Sequence, residues 1–338
     1  MPVAERVVEN LNRALHGLFE RDESVYLLGE DIVDPYGGAF KVTRGLSERY
    51  GDRVLATPLS EGGIVGVAAG LSLAGNTAIV EIMFGDFIAL AFDQILNFAS
   101  KSVSMYGRRI PLKLVVRCPT GGSRGYGPTH SQSPQKHFVG IPGLNLYELS
   151  PFHESGVVLE RMFRGAEPCV LFEDKVLYTR RMRRDGVVDD IFNFDFADPA
   201  QEFARVYAGR PDDADVVLIA PGGLVDRTLT AMRGLLLDHE ITCQLVVPSR
   251  LYPLDLDPLL PMLAAAGRVC VVEESTAGGT WGAEIAQAVH SRLWGKLAAP
   301  VRLVHSAASI IPTATHLERG VLVQSETIHH AVREMFVG

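Results

Sequence analysis

The segment EGGIVGVAAGLSLAGNTAIVEI, residues 61–82, joins a helix of small apolar residues to a continuous apolar strand at 78–82. Because such strands do not alternate between apolar and polar residues, they are typical of parallel sheets that are buried on both faces. The sequence therefore predicts an α/β fold with two doubly wound, mostly parallel sheet domains. Similar runs recur between helix-length segments, at 25–28, 112–116, 169–172, 216–220, 244–247, 269–273 and 301–304.

The length of 338 residues and a change of composition near the middle predict two domains. A basic cluster, RRMRR at 180–184, is followed by acidic residues and two prolines. We therefore expect domains at 1–185 and 213–338, joined by a linker at 186–212. Such a basic run is usually a solvated linker, although it could also bind a phosphate or an acidic partner surface.

Composition and charge exclude several classes of protein. The chain is 47% hydrophobic and 21% charged, which is far from the composition of a disordered protein. Its net charge of −8 argues against nucleic-acid binding, which needs a basic surface. The longest apolar stretch, 62–75, is shorter than the roughly 20 residues that span a bilayer. We therefore expect a cytoplasmic protein with no membrane or nucleic-acid partner.

A carboxylate stands at the start of the apolar helix, in the motif TPLSEGGIVG at 57–66. One interpretation is structural: Glu61 complements the helix dipole, worth about 0.3–1 kcal/mol, and Ser60 caps the helix. The other is functional. Because the helix has almost no polar face, we expect it to be packed on all sides, with Glu61 desolvated and able to share a proton with a ligand nitrogen.

Two further segments carry residues suited to chemistry. In the strand end EIMFGDF at 81–87, Phe87 is either a core aromatic or a ring presented to a flat ligand. A long polar loop at 117–134 has His130 near its far end, and loops of this length in compact domains are often functional. Serine nucleophile chemistry ranks low because no acid partner is evident in the sequence. Zinc-protease chemistry ranks low because no His-Glu-x-x-His motif is present.

Together, these motifs resemble one family, the beta subunits of thiamine-diphosphate-dependent 2-oxoacid dehydrogenases of the pyruvate and branched-chain type. The resemblance covers nearly the whole chain. Its motifs are Gly29-Glu30-Asp31, Gly37-Gly38-Ala39-Phe40 with Thr43-Arg44-Gly45-Leu46, Thr57-Pro58-Leu59-Ser60-Glu61, Asp86-Phe87 with Phe92-Asp93-Gln94-Ile95, His130-Ser131-Gln132-Ser133-Pro134, Pro253-Leu254-Asp255, Glu273-Glu274, and Gly278-Gly279 with Gly282-Ala283-Glu284.

The resemblance implies a pyrimidine-binding domain followed by a transketolase C-terminal-like domain, with a role for each matching residue. Glu61 corresponds to the acid that hydrogen-bonds the aminopyrimidine ring of thiamine diphosphate and promotes its proton transfer. Phe87 is similar to the aromatic that stacks on the pyrimidine, and Leu59 to a further cofactor contact. Glu30 resembles an acid in the proton path between paired active sites, and His130 a substrate-side histidine.

The resemblance also implies partners. Thiamine enzymes hold the diphosphate through Mg²⁺ with a Gly-Asp-Gly motif, which this sequence lacks. The family places that motif on an alpha subunit, so the implied enzyme is an α2β2 heterotetramer. It would oxidatively decarboxylate a small 2-oxo acid and transfer the acyl group to a lipoyl group of an acyltransferase component.

Departures from the family pattern keep two alternatives open. The loop 123–128 replaces a Gly-rich run, Gln135 stands where many members have Glu, and Gly85 where Ala is common. One alternative is a pathway-specific decarboxylase or acyl or acyloin transferase without a lipoyl partner; the other is a non-catalytic scaffold subunit. The family's K⁺ loop corresponds to 164–168, where the usual Asp and Asn are absent and backbone carbonyls alone would hold the ion.

Overall fold

Two mostly parallel sheets form the framework of the chain, which the computed structural model describes for residues 5–211 and 213–337. The described chain divides into two compact units. The first unit contains the described residues up to Gly121 together with Phe138–Met182, and the second contains Gly122–His137 and the described residues from Arg183 onward.

The first unit is built on parallel strands in the order β5-β6-β4-β3-β1-β2. A 3₁₀ helix at Gly85–Ala91 and a π-helix at Gln94–Ala99 follow β3. The helices and strands are α1 (Val7–Arg21), β1 (Val25–Gly29), α2 (Leu46–Tyr50), β2 (Val54–Ala56), α3 (Glu61–Leu73), β3 (Thr77–Glu81), α4 (Ser100–Ser102), β4 (Leu114–Thr120), β5 (Asn145–Glu148), α5 (Ser155–Gly165) and β6 (Cys169–Asp174).

Strand register places the ends of three neighbouring strands at one edge of this sheet. Gly29 at the end of β1 lies opposite Glu81 on β3, and Glu81 lies opposite Arg117 on β4. A Cβ atom on Gly29 would come within 2.8 Å of the Glu81 carbonyl oxygen, so this pairing requires glycine. The residue that follows, Glu30, is thereby placed at the carboxyl edge, where open α/β sheets bind ligands.

One face of the first sheet packs against helices α1 and α5. The amphipathic α1 buries Leu11, Leu15 and Phe19 against the sheet, and α5 contributes Leu159 and Met162 to the same core. Each fully buried side chain of this size stabilises the fold by about 1.5–3 kcal/mol relative to an exposed one. The helical spacing of these residues explains why both segments form helices that cover the sheet.

The second unit has the strand order β13-β12-β9-β10-β8-β7, in which β8 pairs antiparallel with both β7 and β10. The remaining pairs are parallel. Its elements are β7 (Phe192–Phe196), β8 (Phe203–Ala208), β9 (Val216–Ile219), α6 (Val225–His239), β10 (Cys243–Pro248), β11 (Arg250–Tyr252), α7 (Leu260–Ala266), β12 (Val269–Thr276), α8 (Trp281–Leu293), β13 (Arg302–Ser306), α9 (Thr315–Val321) and α10 (Ser325–Glu334).

The predicted α/β class with two mostly parallel sheets is confirmed, and each predicted strand run overlaps a strand. The structure differs in two segments. Residues 186–212, expected as a linker, contain β7 and β8, which extend the second sheet. Residues 122–137, expected in the first domain, group with the second unit. No helix in the part of the chain that the structure describes is long and apolar enough to cross a membrane.

Candidate active site

Helix α3 begins at Glu61, as the sequence predicts, and the Glu61 side chain is only 8% exposed. Ser60 occupies the N-cap position, but within the described residues its side chain makes no capping hydrogen bond. The structural interpretation is thus correct about the position of Ser60 but not about a capping hydrogen bond, while the predicted burial of the carboxylate is confirmed. A buried acid at a helix start is stabilised by the dipole and is positioned to meet a ligand.

Glu30 and Glu61 are brought together at the end of β1. The Glu30 side chain is buried, and burial raises its pKa, with a further increase from the neighbouring negative charge of Glu61 and from Asp31. A hydrogen bond from the Ser60 backbone N–H acts in the opposite direction. Glu30 Oε1 is buried without a hydrogen-bond partner among residues 5–211 and 213–337. Such an atom is available to a ligand proton.

Phe87 and Leu59 have different surroundings. Phe87 lies half-buried in the 3₁₀ helix after β3, with its ring edge-on to Phe84 at 6.3 Å between centroids. At the neighbouring Gly85, a Cβ atom would come within 2.8 Å of the Pro119 carbonyl oxygen, so the close approach of the backbone favours glycine there. The Leu59 side chain is 81% exposed. The cofactor-binding roles of Phe87 and Leu59 remain predictions.

Helix α3 is packed on one side only, which corrects the expectation that it is covered all round. Ile64 and Ala68 are buried, whereas Val67 is 58% exposed. Leu90, 64% exposed, lies beside the first turn, since a Cβ atom on Gly62 would be 3.1 Å from its carbonyl oxygen. We call the exposed apolar surface formed by Val67 on α3, Leu59 just before the helix and Leu90 beside its first turn the outer face of α3. The helix therefore lacks a polar face in the sequence although it is not covered on this side.

A buried ionic network beneath the strand ends was not predicted. Arg117 forms a two-point contact with Glu173, Nε to Oε1 at 2.7 Å and Nη2 to Oε2 at 2.8 Å, and donates to Glu81 at 2.7 Å. The Tyr178 hydroxyl donates to Glu173 at 2.5 Å, and burial raises the pKa of that phenol. The signal available in the sequence was the presence of charged residues inside otherwise apolar strand runs.

This network reaches the segment that follows Glu30. The Ala39 backbone N–H donates to Glu81 Oε1 at 2.6 Å. Burial raises the pKa of Glu81, and the negative charge of Glu173 raises it further. The positive charge of Arg117 and the hydrogen bond from the Ala39 N–H act in the opposite direction. Glu81 thus fixes the Gly37–Phe40 motif to the sheet.

His130 belongs to the second unit, in the segment Gly122–His137. Its ring is half-buried, and Nδ1 lies 3.0 Å from the Thr129 hydroxyl. This hydrogen bond with the Thr129 hydroxyl engages Nδ1, one of the two ring nitrogens of His130. The substrate-side role of His130 remains a prediction.

The segment corresponding to the family's K⁺ loop is engaged in contacts within the chain. Glu167 pairs with Arg109 at 2.5 Å and accepts from the Asn145 amide at 3.0 Å. The Ala166 and Pro168 carbonyls accept backbone N–H groups at 2.9 and 3.0 Å. A K⁺ site here remains a prediction. Elsewhere, too, the described residues contain no group of three His, Cys, Asp or Glu side chains arranged to hold a metal.

Comparison with known proteins agrees with the two-unit fold. Residues 6–181 match the transketolase pyrimidine-binding domain, and residues 207–328 match the transketolase C-terminal domain. A solved split-gene transketolase, described as an inactive beta4 tetramer, has a TM-score of 0.71 at 18% identity and covers 99% of both chains. This likeness concerns the fold.

Several curated proteins are similar along most of the chain. The beta 2 subunit of mitochondrial 2-oxoisovalerate dehydrogenase from Arabidopsis thaliana is 36% identical over 87% of this chain and 79% of its own. The beta subunit of acetoin:2,6-dichlorophenolindophenol oxidoreductase from Cupriavidus necator is 32% identical over 97% and 96%. The beta subunit of the pyruvate dehydrogenase E1 component from Rickettsia bellii is 28% identical over 97% and 98%.

Proposed function

The chain belongs to the transketolase-like family of thiamine-dependent 2-oxoacid dehydrogenase beta subunits, and we propose from this premise that it works in the oxidative decarboxylation of a small 2-oxo acid. The acyl group would pass to a lipoyl group on an acyltransferase component. The observation that carries the proposal is the pair of buried acids, Glu30 and Glu61, at the carboxyl edge of the first sheet. The cytoplasmic location expected from the sequence stays a prediction.

The residues of the first unit fit the pyrimidine half of thiamine diphosphate. Glu61 is a buried acid at a helix start, and Glu30 has a buried oxygen without a partner among the described residues, so a ligand with ring and exocyclic nitrogens would satisfy both. When bound, the cofactor supplies a nucleophilic carbon and an electron sink for loss of CO₂.

Each residue then has a proposed task. Glu61 holds a proton at the pyrimidine ring nitrogen, and Glu30, whose pKa is raised, carries protons to and from it. Phe87 and Leu59 contact the cofactor through apolar surface. His130 acts on the substrate side, where it orients the carboxylate or acyl group and moves a proton.

An alpha subunit is proposed to complete the site. The outer face of α3 presents apolar side chains at the helix that starts with Glu61, and such a surface is suited to burial against another protein. We place the Mg²⁺ and diphosphate ligands on that subunit and propose an α2β2 heterotetramer. K⁺ binding at 164–168 would rest on backbone carbonyls alone.

A second proposed function is acyloin chemistry without a lipoyl partner, and one comparison supports the acyloin part of it. The relative that covers 97% of this chain at 32% identity is named for acetoin oxidation. Reductive acylation of a lipoyl domain by the assembled enzyme would separate the two functions. A non-catalytic scaffold is the least favoured role, because Glu30, Glu61, Phe87 and His130 are all retained.

Cofactor binding tests the proposal. The chain alone should bind thiamine diphosphate poorly, because a doubly or triply charged diphosphate would enter a protein of net charge −8. Helix N-termini, each equivalent to about half a positive charge, would be its counter-charge. Addition of an alpha chain that carries the Gly-Asp-Gly motif should restore Mg²⁺-dependent binding, followed by calorimetry, and 2-oxo acid consumption together. Tight Mg²⁺-dependent binding by the chain alone would overturn the split site.

A further inference from the structure

The segment that carries His130 is attached to the second unit through its backbone. The Ser123 N–H donates to Glu318 Oε1 at 2.9 Å, and the Gly125 N–H donates to Glu318 Oε2 at 3.2 Å. The Gly122 N–H points to Glu274 Oε1 at 3.4 Å. Closely spaced N–H groups of this kind form a concave site for an anion, which is here filled by two carboxylates of the same chain.

Both carboxylates are themselves held in place. Glu318, on α9, is 1% exposed, and its two oxygens are each used by the segment. Glu274, on β12, has a side chain 5% exposed and is paired with Arg227. Arg227 also donates to the Val323 carbonyl at 2.7 Å, which ties β12 to the chain that follows α9. We call the hydrogen bonds from residues 122–125 to Glu274 and Glu318 the anchor of the His130 loop. All of its residues belong to the second unit.

Close packing reinforces these hydrogen bonds. Gly127 has φ +78°, and a Cβ atom there would come within 2.7 Å of Thr313 Oγ1. Ser123 adopts φ +65°, a backbone conformation that a side chain disfavours and that surrounding contacts must maintain. Residues 123–127 therefore depend on the hydrogen bond to Glu318 at Ser123 and on the absence of a side chain at Gly127.

We propose that Glu318, assisted by Glu274, is a positioning residue that sets where the His130 loop lies. This inference rests on the proposed substrate-side role of His130. Hydrogen bonds from N–H groups to an ionised carboxylate are among the stronger ones in proteins, so loss of the charge should loosen residues 122–130 while the cofactor acids of the first unit stay in place.

The first test replaces the carboxylate with a neutral group of the same shape. In the full chain, Glu318→Gln should raise the amide hydrogen-exchange rate of peptides covering 122–130 by about tenfold, because one charged acceptor is lost to two donors. The matched control is Glu326→Gln, at an exposed position on α10. If peptides covering 122–130 exchange at the same rate in Glu318→Gln and Glu326→Gln, Glu318 does not hold the loop in place.

A second pair of variants tests the anchor without removing a charge. Gly127→Ala adds a Cβ atom against Thr313, whereas Gly140→Ala, at the similar φ of +85°, meets no heavy atom of the described chain within 4 Å. Both variants bear the same backbone strain. Exchange at 122–130 should rise more in Gly127→Ala than in the double variant Gly127→Ala/Thr313→Ala, which keeps the backbone strain at 127 but removes the hydroxyl that the added Cβ atom would meet.

Catalysis of the assembled enzyme completes the test. Glu318→Gln should raise KM for the 2-oxo acid and lower kcat by about tenfold or more, while thiamine diphosphate affinity stays within about twofold of wild type. Faster exchange with unchanged KM and kcat would overturn the positioning role. If wild type itself neither binds thiamine diphosphate nor consumes a 2-oxo acid, the proposed function fails, whereas the exchange result judges the anchor independently.

Discussion

Arg117 and Glu81 face each other on adjacent parallel strands, and Arg117 Nη1 donates to Glu81 Oε2 at 2.7 Å with both side chains fully buried. Arg117 also binds Glu173 through two hydrogen bonds, so one cation serves two buried carboxylates. Through the bond from Ala39 to Glu81, this pair supports the segment that follows Glu30.

Replacement of Arg117 should destabilise the protein strongly. Arg117→Met leaves Glu81 and Glu173 buried without a cation, and we expect the free energy of unfolding to fall by about 3–5 kcal/mol. Urea denaturation followed by circular dichroism measures the change. Arg164→Met is the control, since its exposed pair with Glu160 is worth less than about 0.5 kcal/mol. Similar losses in both variants would contradict the prediction.

Glu61→Gln should abolish turnover and preserve assembly. The amide has the shape of the carboxylate but cannot exchange its proton, and general acid–base catalysis typically contributes about 10²–10⁴-fold. Decarboxylation is measured with saturating cofactor and the alpha subunit present. Glu23→Gln, at an exposed position, should behave as wild type. Activity of Glu61→Gln within a few-fold of wild type would limit Glu61 to a role at the helix start.

Glu30 should make stability depend on pH with a definite sign. Because burial and the charge of Glu61 raise its pKa in the folded state above the usual 4.5, ionisation at neutral pH opposes folding. Its contribution to stability is fully present below the unfolded pKa and is lost as pH rises through the folded pKa.

Glu30→Gln should therefore stabilise the chain most at neutral pH, with the gain shrinking as pH falls toward 4.5. Urea midpoints between pH 4.5 and 8 measure it. A gain that grows toward low pH would show that Glu30 is stabilised as a carboxylate.

His130→Ala should impair substrate handling more than cofactor binding. We expect kcat/KM for the 2-oxo acid to fall by about 10²-fold, because a group that orients the substrate and moves a proton is lost. Thiamine diphosphate affinity, titrated in the assembled enzyme, should stay close to wild type. His330→Ala, at an exposed position on α10, is the control. A collapse of cofactor affinity with unchanged chemistry would place His130 near the pyrimidine instead.

Val67→Asp should prevent assembly without unfolding the chain. Val67 is 58% exposed on the outer face of α3, so a charge there costs little in the free chain but would be buried in an interface. We expect affinity for the partner subunit to weaken by at least about 2 kcal/mol, measured by sedimentation. Leu237→Asp, at an exposed position on α6, should assemble normally. Normal assembly of Val67→Asp would remove this face from the interface.

The sequence was most informative where one chain alone decides the structure. The continuous apolar runs predicted the parallel strands, and the motif around Glu61 predicted a helix start with a buried acid. Strands β7 and β8 were missed because each is partly exposed, so that polar residues interrupt the apolar pattern. The packing of α3 was overestimated because an apolar face that a partner would cover cannot be distinguished in sequence from one in the core.

Long-range contacts were beyond prediction from a single sequence. The Glu81–Arg117–Glu173 network depends on strand register, and the bond from Ser123 to Glu318 joins residues 195 positions apart. Local patterns carry no information about such pairs, which is why the loop with His130 was assigned to the first domain. Glu30 and Glu61 were both predicted as site residues from the sequence. Only the fold shows that they are close enough for the charge of Glu61 to raise the pKa of Glu30.

The attachment of residues 122–137 to Glu274 and Glu318 also sets an order of events during synthesis on the ribosome. The strands of the first unit have all been synthesised once β6 is made, whereas Glu318, the acceptor for Ser123 and Gly125, lies on α9 and is translated well after β6. Domains generally fold as units as they emerge. The His130 loop should thus become ordered only after α9 has been synthesised, later than the strands of the first unit that precede and follow it in the sequence.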